Sequence, residues 1–160
     1  MATTAKKVEV WAGDLPDRPG GLAQVMEALG EARANVECVI ARRQPDQQGS
    51  GVVYVTPIKG NKSQDAARAA GLAPATNIAT LRVQGADRAG VGAALSRAIA
   101  DEGINLRGLS CAVLGNTFVA YFGFDSDTDA DRAARAIKSA ARSVAPAKKK
   151  KPAKRAKRRR

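Results

Sequence analysis

The chain says the same thing twice. Asp17-Arg18-Pro19-Gly20-Gly21 opens an amphipathic stretch that closes at Asn35-Val36, and Asp87-Arg88-Ala89-Gly90-Val91 opens a second that closes at Asn105-Leu106. Asp87 lies 70 positions after Asp17, and the same offset pairs Gly20 with Gly90, Val25 with Leu95, Leu29 with Ile99 and Asn35 with Asn105 without a gap. That period is too long for a solenoid unit and suits a small domain. The 160 residues are therefore read as two copies of one fold followed by a different C-terminal segment. A unit of this size buries only about 60–65% of the surface its unfolded chain exposes, so each copy is marginal alone. The copies are expected to pack together, within one chain, between chains, or both.

Charge separates the C-terminal segment from the repeats. The chain holds 27 Lys and Arg against 15 Asp and Glu, a net charge of +12, but ten of the basic residues lie between Lys148 and Arg160, where no acid occurs. The first 147 residues are close to neutral, so arguments about polyanions apply to the tail. No apolar run follows Met1 or approaches the roughly 18 residues of a spanning helix, and a soluble, cytoplasmic protein is expected. Cys38 and Cys111 have no metal-type spacing and read as two small buried hydrophobes. There is no histidine, which removes the usual general base and the commonest metal ligand.

Hydrophobic periodicity places the elements. Val8-Glu9-Val10-Trp11 alternates like a strand, and Gly13 to Gly21 is rich in turn formers. Leu22, Val25, Met26 and Leu29 follow at helical spacing as a core face. Val36 to Ala41 and Val52 to Thr56 form a hairpin around the polar loop at 44–49. Ser63 to Ala70 is a short helix with Ser63 as N-cap, and Leu72 to Thr76 leaves room for a short strand. The second copy runs through a strand at 78–83, a helix at 91–102, a strand at 106–114, the turn Gly115-Asn116 and a strand at 117–124. Asp127-Thr128 is read as the cap of a last helix from Asp129 to about Val144, with Ala133, Ala134, Ile137, Ala140 and Ala141 on its apolar side. Phe118, Phe122 and Phe124 share one face as a core would, and the strand lacks the basic lead of an RNA-stacking strand.

A repeated βαββα(β) unit is the ferredoxin-like plan, an α+β fold with an antiparallel sheet and helices on one face. The motif Asp-Arg-Pro-Gly-Gly-Leu-Ala at 17–23, with Leu29 and then Asn35-Val36, resembles the ACT domain, a small-molecule regulatory module. Asp87 to Leu95, with Glu102-Gly103-Ile104-Asn105-Leu106, resembles it again. The resemblance spans roughly residues 7 to 142 and implies two ACT-type domains in tandem, at 7–76 and 77–145, with a disordered basic tail at 146–160. It implies a free-standing protein without a catalytic domain.

Helices entered through Gly20-Gly21 and Gly90-Val91 begin with amides that lack intrahelical partners, and these with the helix dipole suit a carboxylate. An asparagine where each helix returns to the sheet both donates and accepts, and Asp14, Asp17 and Asp87 offer a counter-charge to an ammonium. A free amino acid fits that constellation. Likeness to ACT domains, whose ligands sit between paired domains, implies Asp17, Pro19, Gly20, Gly21, Leu22 and Asn35 in the first copy as ligand-binding positions. In the second it implies Asp87, Gly90, Val91, Gly92 and Asn105. Ala89 replaces Pro19 and Gly92 replaces Leu22, leaving the second loop less rigid. A purely structural reading stands beside this one: the glycines shape tight loops, the asparagines occupy left-handed turns, and the aspartates cap helices.

In the tail, Lys148, Lys149, Lys150, Lys151, Lys154, Arg155, Lys157, Arg158, Arg159 and Arg160 make a polycation with no apolar face. If six to ten of its charges met phosphates, binding would be non-specific, with a log–log salt slope of roughly −5 to −9. The expected function is a non-catalytic regulatory module with an amino-acid-type ligand, a nucleic-acid-associating tail, pairing of ACT domains into a homodimer, no membrane and no cofactor or metal. The alternative is a structural dimerisation adaptor on nucleic acid whose ACT-like domains bind no ligand. An enzyme is not expected, because no nucleophile–base pair, metal set or cofactor fingerprint is present.

Overall fold

A computed structural model describes residues 2–44 and 46–143. The first copy contains β2 (Trp11–Pro16), α1 (Gly21–Glu31), β3 (Cys38–Arg43), β4 (Ser50–Thr56), α2 (Asn61–Ala69) and β5 (Ala73–Pro74), preceded by β1 (Thr4–Val8). The second contains β6 (Ala79–Ala86), α3 (Val91–Asp101), β7 (Gly108–Leu114), β8 (Thr117–Phe124) and α4 (Asp127–Ser143). Two four-stranded antiparallel sheets result, ordered β3-β4-β2-β5 and β1-β6-β8-β7. This is the α+β tandem architecture that the repeat implied.

The N-terminal strand departs from the sequence reading. The run 8–11 is not one strand: Val8 ends β1, Trp11 begins β2, and β1 joins the second sheet, with Thr4 opposite Gln84 and Val8 opposite Thr80. No strand follows α4 among the described residues, so the edge of β6 that β5 would supply in a literal repeat is filled from the chain's beginning. Residues 7 and 8, read as the start of the first unit, thus lie in the second sheet. Lys7 fastens the strand to α4, its Nζ 3.2 Å from Asp127 Oδ1 and 3.0 Å from Asp131 Oδ1. Hydrogen bonds to these carboxylates raise its pKa above the ordinary 10.5. Gly13 to Pro16, read as turn, belongs to β2, where pairing with β4 from Trp11–Val55 to Pro16–Ser50 outweighs the weak strand preference of Gly, Asp and Pro.

Each sheet packs helices on one face. Trp11, Leu15, Val25, Leu29, Val53, Val55, Ile58, Ala67 and Leu72 form the first core. The second is built on Leu81, Val83, Leu95, Ile99, Phe118, Phe122, Phe124, Ala133 and Ile137, with Ala5 from β1. The three phenylalanines are core, as their shared face predicted. Leu22, expected in the core, is 38% exposed, whereas Val25 and Leu29 on the same helix are buried. Cys38 is half-buried and Cys111 exposed, correcting their reading as buried hydrophobes: both sit on edge strands, which have a neighbour on one side only.

Several boundaries shift for local reasons. α2 begins two residues before Ser63, after Gly60, and Ser63 is buried inside it rather than capping it. α4 is capped by Ser126 and not by Asp127-Thr128: the Ser126 hydroxyl accepts from the Asp129 amide at 3.1 Å, as an N-cap does, and donates to the Asp129 carboxylate at 2.8 Å. α1 and α3 end alike. The Ala34 amide donates to Leu29 and the Ile104 amide to Ile99, a Schellman closure with Arg33 (φ 57°) in one copy and Gly103 (φ 70°) in the other at the left-handed position. The edge strands β3 and β7 consequently begin two residues later than expected, at Cys38 and Gly108.

Candidate functional site

The two expected ligand loops have the same geometry. The Gly21 amide donates to the Arg18 carbonyl at 3.1 Å, and the Val91 amide to the Arg88 carbonyl at 3.1 Å. Gly20 at φ 89°, ψ −13° and Gly90 at φ 87°, ψ −5° occupy the third position of these four-residue turns. Those angles define type II turns, which require positive φ at that position and favour the proline found at Pro19 before it. Neither helix has a side-chain cap, and neither has an acid in its first turn. The Gln24 and Ala94 amides close onto the Gly20 and Gly90 carbonyls, at 3.1 and 3.0 Å. The amides of Leu22 and Ala23, and of Gly92 and Ala93, make no backbone hydrogen bond among the described residues. Each loop thus presents a pair of open donors at the positive end of a helix of 11 residues.

The other expected residues divide. Asp17 caps nothing; its carboxylate receives the Arg43 Nε–H at 2.9 Å, so its charge is already matched. Asp87 is exposed, and its amide donates to the Asn116 carbonyl at 2.8 Å. Asn35 and Asn105 are exposed beyond the helix ends, and the left-handed residues stand two positions earlier, at Arg33 and Gly103, which corrects the left-handed reading of the asparagines. Gly21 sits tightly, since a Cβ there would run into the Pro16 carbonyl oxygen, whereas one on Gly92 would meet open space. The two loops lie on different sheets, and each stands at its own helix start. A crevice of about 280 Å³ beside the second loop is lined by Thr3, Arg88, Val91, Lys138 and Arg142. The tail residues Lys148 to Arg160 lie outside the described residues.

A larger feature escaped the sequence reading. The helix-free faces of the sheets bound a cleft of about 510 Å³, lined from one side by Cys38, Ile40, Val52 and Tyr54 and from the other by Thr80, Ser110, Tyr121 and Gly123. Arg42, Arg43, Arg107 and Asp46 also line it. Beside it, Arg82 Nε and Glu37 Oε2 form an ion pair at 3.1 Å that ties the sheets together. Burial pushes the Cys38 thiol above its ordinary 9.0; burial likewise raises the Tyr121 phenol, opposed by a hydrogen bond with Arg82. A sequence signal existed. Tyr54 and Tyr121 hold the same register in their hairpins, two residues before Thr56 opposite Cys38 and two before Gly123 opposite Gly108.

No family model and no curated protein matches the chain. Solved structures do. The ligand-free regulatory subunit of aspartate kinase from Thermus thermophilus superposes with a TM-score of 0.62 at 21% identity, covering 88% of this chain and 97% of that one. A protein from Bacteroides thetaiotaomicron gives 0.67 at 14% identity, covering 84% and 89%. The aspartate kinase of Clostridium acetobutylicum gives 0.57 at 15% identity, covering 86% of this chain and 33% of that one. At these identities the likeness concerns the fold alone. None of the helices described is long and apolar enough to cross a membrane. The chain shares with these structures a tandem α+β fold of two four-stranded antiparallel sheets with helices, the architecture that the repeated motif implied.

Proposed function

We propose that this protein is a regulatory module whose paired ACT-type domains bind an amino-acid-type ligand at the two type II turns. The observation that carries the reading is the repeated uncapped helix start: Gly20 and Gly90 each leave two amides open. An α-carboxylate is the complementary group, and the turn glycines let it approach the backbone. Asn35 and Asn105 supply the polar contact for the rest of the zwitterion, across the interface with a second domain. Because Asp17 is held by Arg43, Asp14 and Asp87 are the better counter-charges for an ammonium. Pro19, Gly21 and Leu22, with Val91 and Gly92, complete the two sites.

Support comes also from the fold, since the similar structures include regulatory subunits of aspartate kinase. In this reading the protein has no catalytic function and acts in the cytoplasm as a homodimer formed by ACT–ACT pairing. The polybasic tail associates without sequence preference with nucleic acid. A thermal-shift screen of the full chain against the twenty amino acids tests the proposal: one or a few should stabilise it by RT ln(1 + [L]/Kd). A flat response, with Asn35→Ala and Asn105→Ala also silent, would remove it. DNA retention that falls with salt and disappears when residues 146–160 are deleted is the result expected of the tail.

A further inference from the structure

We propose that the cleft between the helix-free sheet faces is a second binding site, separate from the helix-start loops, for a small monocarboxylate with an apolar or aromatic body. Its volume of about 510 Å³ is of ligand-pocket size, a class whose usual range is roughly 300–1,000 Å³. The walls explain why space remains there. Where the first copy places Cys38, Ile40 and Thr56, the second places Gly108, Ser110 and Gly123 at the matching register. A Cβ added at Gly108 would meet nothing within 4 Å. One wall is therefore hollowed at Gly108 and Ser110, while the space over Gly123 is taken by Ile78; Ile40, Val52 and Tyr54 face this wall with apolar surface, and Tyr121 stands within it.

The charge of the cleft selects the ligand's other end. Arg42 and Arg107 line it; Arg43 is matched by Asp17, and Asp46 is the acid of the lining. The Arg42 side chain has no hydrogen bond or ion pair among the described residues. Arg107 donates to the Asn77 carbonyl at 2.5 Å and lies 3.7 Å from Asp125. A guanidinium presents a planar fork that fits a carboxylate, and such charge-assisted bonds are about twice as strong as neutral ones. One carboxylate on an apolar body answers both halves of this lining; a polyphosphate would leave the apolar walls unused.

The test is an amide-resolved NMR titration of the full chain with three probes: 3-phenylpropionate, 4-methylpentanoate and octanoate, each compared with its uncharged primary amide. Saturable shifts should centre on Cys38, Gly108, Ser110 and Gly123 for at least one acid, with its amide about tenfold weaker or worse. Arg42→Gln, a surface change, should weaken that acid to a similar degree, and Ser110→Phe should abolish binding by filling the cleft. Should Ser110→Phe fail to fold, Arg42→Gln carries the test. The proposal is overturned if all three acids leave those amides unshifted, if the shifts fall instead at Gly20 and Gly90, or if acid and amide bind alike.

Discussion

Placing an aspartate at position 5 tests the borrowed strand that completes the second sheet. Ala5 is 6% exposed, lies opposite Val83 and belongs to the second core, whereas Lys6 beside it is exposed. In Ala5→Asp the carboxyl either stays docked and neutral or stays charged and pulls β1 away. Holding a carboxyl of ordinary pKa near 3.9 in its neutral form at pH 7 costs about 4 kcal/mol, at about 1.36 kcal/mol per unit. That figure is an upper limit, because undocking β1 is the escape when it costs less. At about 3 °C per kcal/mol for a chain of this size, the melting temperature should fall by up to about 12 °C. Calorimetry on Ala5→Asp and Lys6→Asp measures the contrast: Lys6→Asp changes the charge by two and Ala5→Asp by one, so a larger loss in Ala5→Asp reports burial rather than charge. Hydrogen exchange should also show loss of protection in β6 rather than β2. Equal melting of the two variants, or lost protection confined to β2, would refute the placement of β1.

Other substitutions probe the repeat copy against copy. Arg33→Gly relieves a left-handed non-glycine residue and should stabilise by about 1 kcal/mol, while Gly103→Ala should lose about as much, both read by denaturant midpoint. Gly21→Ala drives a Cβ into the Pro16 carbonyl and should cost about 1–3 kcal/mol. Gly92→Ala, which meets open space in a helix, should gain up to about 1 kcal/mol in thermal melts. In alkylation followed by mass spectrometry at mildly alkaline pH, Cys111 should react before Cys38, whose raised pKa lowers its thiolate fraction and which is half-buried.

Local periodicity carried most of the fold. The 3.6-residue spacing from Val25 to Leu29 and the shared face of Phe118, Phe122 and Phe124 come from side-chain direction alone, so the sequence displays them directly. The partner of β1 was not legible, because pairing Thr4 with Gln84 spans the chain and no local pattern encodes it. The repeat even argued against it, since a literal second copy would end in its own strand. In the loops, Pro19 and Gly20 marked a tight turn through residue chemistry, but its type II form was seen only in the folded backbone, and the Asp17–Arg43 pair depends on where the first hairpin folds back. The cleft needed both sheets, and only the matched Tyr54 and Tyr121 hinted at it.

The most direct test of the regulatory proposal is to map, amide by amide, where a stabilising amino acid binds the full chain. Saturable shifts and slowed exchange are expected at Leu22 and Ala23, at Gly92 and Ala93, or at both pairs, with Gly20→Ala or Gly90→Ala abolishing the response of its own loop. Stabilisation by an amino acid with these four amides unmoved, or no stabilisation by any of the twenty, would contradict it.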